Sequence, residues 1–106
     1  MYQPLHPAVL RMLKLILDMG KEVGLPVSIC GDMAAGPLTA PILIGLGAEI
    51  LSMPPAAIPK IKRLIRMSFL SEMTALAEDL LNARTAEEAN DKALRDLGDK
   101  FSELFN

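Results

Sequence analysis

The chemistry available to this chain centres on Val27-Ser-Ile-Cys-Gly-Asp-Met-Ala34, which holds its single cysteine, Cys30. A near-apolar run over 27–30 ends in a thiol, and Gly31 and a short polar, small-residue loop over 32–36 follow at once. That is the form of a buried parallel strand whose last side chain is aimed at a site. Strands of this kind are covered on both faces, and α/β sheets place their chemistry where such strands end. Cys30 is therefore the first candidate. Taken alone, a cysteine at a strand end is more often a small buried hydrophobe than a catalyst, and both readings stand at this point. Gly31 permits a close backbone approach or a turn. Asp32 either contacts the site or orders the loop.

The chain has 106 residues, room for one domain. Hydrophobic residues make up 51% and charged residues 23%, enough apolar material for a core. Few aromatics and seven methionines point to aliphatic, helix-rich packing; Met12, Met19, Met33, Met53, Met67 and Met73 read as core filler. A net charge of −2 and a pI near 5.3 leave no basic stripe to neutralise phosphates, which argues against nucleic acid. One cysteine makes no internal disulfide, as in a reducing cytosol. The N-terminus carries no signal-peptide pattern, and the longest apolar run, 40–46, is too short to span a bilayer. The expectation is a soluble cytoplasmic protein with no membrane insertion.

The elements that must position Cys30 follow from periodicity and punctuation. Pro4 and Pro7 keep the approach extended, and Pro7 suits the first position of a helix. Val9, Leu10, Leu13, Ile16 and Leu17 then recur as one helical face, widened by Met12, Leu15 and Met19. Gly24 and Pro26 stop that helix. The strand at 27–30 is followed by a break at Gly36-Pro37, an apolar helix over 38–46 closed by Gly47, and a second strand over 49–53. The spacing is that of a βαβ unit, so the strands should be parallel. Pro59 opens another helix with Ile61, Leu64 and Ile65 inward and Lys60, Lys62, Arg63 and Arg66 solvated. Ser71 reads as the cap of the next, whose inner face is Met73, Leu76, Ala77, Leu80 and Leu81. Thr85-Ala-Glu-Glu88 has capping-box spacing, and the last helix carries Ala93, Leu97, Phe101, Leu104 and Phe105 on one stripe.

Two parallel strands alone make a poor sheet, with unpaired edges on both sides. Strands of the buried type need neighbours that this order of elements does not supply. The pattern reads as the last part of a larger parallel α/β domain; an eight-stranded barrel takes roughly 250 residues.

Five motifs stand in register along the chain: Tyr2-Gln-Pro-Leu-His-Pro-Ala-Val-Leu10, Cys30-Gly-Asp-Met-Ala34, Ile44-Gly-Leu-Gly47, Leu51-Ser-Met53 and Ile58-Pro-Lys-Ile-Lys-Arg-Leu-Ile65. Together they resemble the C-terminal end of the Enzyme I family, the phosphoenolpyruvate–protein phosphotransferases of the sugar phosphotransferase system, and its nitrogen-regulatory paralogues. The resemblance runs over essentially the whole chain, which matches only a terminal part of such an enzyme. It implies a fragment of a (β/α)8 TIM barrel, the phosphoenolpyruvate/pyruvate-binding domain, with 27–30 and 49–53 as its last two strands. It also implies Mg2+ as a cofactor, held by ligands outside this chain, a homodimer, and a histidine-containing phosphocarrier protein as partner.

By the same resemblance Cys30 falls on the family's acid–base cysteine, which exchanges a proton with the methylene carbon of enolpyruvate. Gly31 and Asp32 fall in the adjoining substrate loop. A thiol is mostly protonated at neutral pH, and at a strand end it can deliver its proton from one face. Asp32 stands where the family commonly has Glu and keeps the charge. Ala35 and Gly36 stand where it has Gly and Asp, which alters the loop's backbone freedom and removes a carboxylate. His6, in a Leu-His-Pro context, lacks a histidine-phosphorylation motif and reads as a helix-start residue. The family's metal-binding acids, phosphate-gripping arginines and phosphorylated histidine have no counterparts here, so the chain by itself is expected to be inactive. A rival reading from another class is a non-catalytic helical module that self-associates or binds a partner through strand edges and apolar helix faces. An accessible Cys30 thiol fits the enzyme; a buried one fits the module.

Overall fold

Proline at the first helical position gives up no hydrogen bond, because the N–H it lacks would have had no partner there. Helix α1 accordingly runs Pro7–Val23 in the computed structural model of the chain, which describes residues 5–36 and 38–98. The His6 Nδ1 caps it by accepting the Ala8 N–H at 3.1 Å. Strand β1 (Ser28–Cys30), the one-turn helix α2 (Asp32–Ala35), helix α3 (Thr39–Leu46) and strand β2 (Ile50–Ser52) follow. A 3-10 turn at Pro55–Ala57 leads into α4 (Ile58–Arg66), α5 (Leu70–Leu81) and α6 (Ala86–Gly98). The predicted order of seven elements is all there, with α2 and the 3-10 turn added. Pro4, Pro37 and the continuation of the last stripe to Phe101, Leu104 and Phe105 lie outside the described residues.

The two strands pair in parallel, Ser28 with Ile50, Ile29 with Leu51 and Cys30 with Ser52. Strand side chains alternate between faces. Ile29 and Leu51 therefore share the face that meets the helices: Ile29 is buried in the core with Leu10, Leu17, Ile42, Leu43, Leu46, Leu64 and Leu80, and Leu51 packs against it. Ser28, Cys30, Ile50 and Ser52 share the other face, and all four are exposed. Burial on both faces, expected from the sequence, holds on one only. Among the described residues the helices cover one side of a two-stranded sheet, and nothing covers the other.

Helix α3 is apolar all round, the composition of a helix buried on every side, and Ala40, Pro41, Ile42, Leu43 and Leu46 are buried in it. Its broadest contact is with α5. The two helices approach so closely at Gly45 that a Cβ there would sit 2.2 Å from the Met73 carbonyl oxygen and 3.0 Å from the Ala77 Cβ. Only glycine fits that crossing. Across the other flank, Arg11 of α1 donates from Nε to the Leu81 carbonyl at 2.8 Å and from Nη2 to the Ala83 carbonyl at 3.2 Å. The Leu81 carbonyl belongs to the last turn of α5, whose carbonyls lack helical partners, and Ala83 lies two residues beyond it.

Several predicted side-chain placements are corrected. On α1, Leu10 and Leu17 are buried as expected, but Ile16 is 45% exposed, and Met12, Leu15 and Met19 are more than half exposed. The 3.6-residue period puts these four, with Val23, on the face turned away from Leu10 and Leu17, and no described element covers it. Of the supposed core methionines, Met73 is buried and Met53 partly so, while Met12, Met19 and Met67 are exposed. Ile65, expected inward with Ile61 and Leu64, is 39% exposed; it lines an open groove with Leu51, Met53 and Ile58. Helix α5 begins one residue before Ser71, with Phe69 at the cap position and no side-chain cap. At α6 the Thr85 hydroxyl accepts the Glu88 N–H at 3.0 Å, but the Glu88 carboxylate accepts from Arg84 N–H at 3.3 Å in place of Thr85. Half of the predicted box forms.

Candidate functional site

Cys30 is the last residue of β1, and its side chain is exposed. Among the described residues no side chain covers this cysteine. The next residue, Gly31, has φ 88° and ψ −161°, a conformation open essentially to glycine alone. A Cβ at Gly31 would meet nothing within 4 Å, so the requirement comes from the backbone turn and not from crowding. That turn lifts the chain off the strand and starts α2, where the Ala34 N–H donates to the Gly31 carbonyl at 3.2 Å.

The segment over 32–36, expected to be a loop, thus contains a helical turn. It contacts both strands, and Ala34 within it is fully buried. The carboxyl end of β1 is therefore closed on one side by α2 and left open on the face that carries Cys30. Asp32 is the first residue of α2, and the structure describes its backbone only. Gly31 and Asp32 are brought next to Cys30 by chain connectivity. His6 spends its Nδ1 on the α1 cap.

Ser52, which sequence reasoning did not single out as a site residue, is the register partner of Cys30. Paired positions on adjacent strands lie about 4.8 Å apart and project to the same side, so thiol and hydroxyl stand side by side at the ends of two parallel strands. The signal was present in the Leu51-Ser-Met53 motif, but register is not legible until the strands are paired. Among the described residues no group of three or more His, Cys, Asp or Glu is placed to hold a metal ion. The residues described here do not by themselves build a magnesium site.

An exposed thiol on the last residue of a parallel strand, a glycine-only turn and a helix start adjoin at one strand end. The family described as "PEP-utilising enzyme, PEP-binding domain" matches residues 1–69, which contain all of it. The chain belongs to this family. Helices α5 and α6 lie beyond the matched residues.

Curated relatives extend the likeness. The phosphoenolpyruvate-protein phosphotransferase of Listeria monocytogenes is 41% identical over 88 residues, 83% of this chain and 15% of the relative. That of Mycoplasma genitalium is 35% identical over 106 residues, all of this chain and 18% of the relative. A multiphosphoryl transfer protein of Xanthomonas campestris is 43% identical over 84 residues, 79% of this chain and 10% of the relative. The chain thus spans less than a fifth of the length of each. The helix-rich α/β architecture with two parallel strands fits a PEP-binding domain of this family. No helix among the described residues is long and apolar enough to cross a membrane.

Proposed function

We propose that this chain, residues 1–106, is the C-terminal portion of a (β/α)8 phosphoenolpyruvate-binding barrel in a phosphoenolpyruvate–protein phosphotransferase, and that Cys30 is its carbon acid–base group. The observation that carries the reading is the exposed Cys30 side chain on the last residue of a parallel strand, within the part of the chain matched to the PEP-binding domain family. Barrel enzymes gather their chemistry at the carboxyl ends of their strands. The open sheet face and the uncovered side of α1 are what a barrel segment shows when its neighbouring units are absent. Substrate loop contacts would come from Gly31 and Asp32, with Ser52 beside the thiol.

The chemistry follows from one bond. When the phosphoryl group of phosphoenolpyruvate leaves for an enzyme histidine, the electron pair of the P–O bond stays on oxygen, and the enolate of pyruvate results. The methylene carbon of the enolate then takes the Cys30 proton, giving pyruvate and a thiolate, and the exposed thiolate recovers a proton from solvent. A proton delivered by a positioned side chain typically contributes about 10²–10⁴-fold to such a step. The phosphohistidine passes its phosphate to a histidine-containing carrier protein. Mg2+, when bound by the rest of the site, would neutralise phosphate and enolate charge; the described residues do not build its site, and no step here runs through it. A cytoplasmic homodimer completes the reading.

The test is Cys30→Ala in the full-length phosphotransferase. Pyruvate formation and exchange of its methyl protons with solvent should both fall by at least about a hundredfold, in line with the usual share of general acid–base catalysis. Unchanged pyruvate formation would remove Cys30 from the mechanism. The second reading, a non-catalytic self-associating module, is favoured by the exposed apolar residues of α1. It predicts a concentration-dependent oligomer in which alkylation of Cys30 becomes slow.

A further inference from the structure

We draw no further inference here: the strongest candidate, the exposed apolar face of α1 formed by Met12, Leu15, Ile16, Met19 and Val23, is already accounted for by the proposed barrel, and nothing in the structure shows what covers it.

Discussion

Replacing Gly45 by Ala tests the crossing that holds α3, and with it the return of the chain from Cys30 to β2. An added Cβ would sit 2.2 Å from the Met73 oxygen and 2.6 Å from its carbonyl carbon, where ordinary contact needs 3.4 Å or more, so about 1.2 Å of separation must be found. Both close atoms are backbone, so no rotamer change relieves them. The helices must part, and gaps of about 0.5–1 Å forfeit a quarter to a half of each dispersion contact along the seam. Overpacking of this kind costs about 1–3 kcal/mol. Against it stands the gain of roughly 0.5–1 kcal/mol that alanine brings to a helix interior. The crowding wins. A net loss of about 1–2 kcal/mol lowers the thermal midpoint by roughly 4–16 °C for a domain of this size, read by circular dichroism. Urea titration should show a lower midpoint at unchanged slope. Ala77→Gly in the Gly45→Ala background should not restore stability, because the two closest atoms belong to the Met73 backbone. A rise in midpoint for Gly45→Ala would mean that α3 and α5 do not cross as closely as described. A favourable coupling of more than about 1 kcal/mol in the double-mutant cycle would move the clash to the Ala77 side chain.

Three further outcomes are expected. Arg11→Ala removes both bonds to the α5 end and should cost about 1–2 kcal/mol in urea unfolding; Arg11→Lys should recover only part of this, since an ammonium lacks the guanidinium fork that reaches two carbonyls at once. Ser52→Cys places a second thiol opposite Cys30, and dibromobimane, which fluoresces on bridging neighbouring thiols, should label the pair. Leu51→Cys, on the opposite face, should stay dark, and the reverse pattern would overturn the strand register. Phosphoenolpyruvate with Mg2+ should leave the melting of this chain unmoved if the rest of the site lies elsewhere. A complete site would instead add about 2.7 kcal/mol at a hundredfold excess of ligand over its dissociation constant, and such a shift would refute the fragment reading.

The sequence made the element order legible because its stops are strong: Gly24 and Pro26, Gly47, and Pro54 with Pro55 each fall where a helix or strand ends. Local chemistry was legible for the same reason, as at Pro7 and Thr85, where one residue decides the geometry. What the pattern could not supply was the partner. Met12, Leu15, Ile16 and Met19 are apolar at helical spacing, which states that a face is fit for burial and nothing about what lies opposite. Helix α2 escaped notice because four residues are too few to show a period. Cys30 joins the two cases. The near-apolar run over 27–30 reads as a strand covered on both sides, while the structure gives it one covered face and one open face bearing Ser28, Cys30, Ile50 and Ser52. A sheet face that mixes two serines, an isoleucine and a thiol is poorly suited to a dry core, yet Ile50 is poorly suited to bulk water. That mixture is what the lining of a substrate cavity requires: polar atoms to bind and to move a proton, beside apolar surface that keeps solvent from competing. In the proposed barrel this open face would form part of the cavity wall, opposite the other strands.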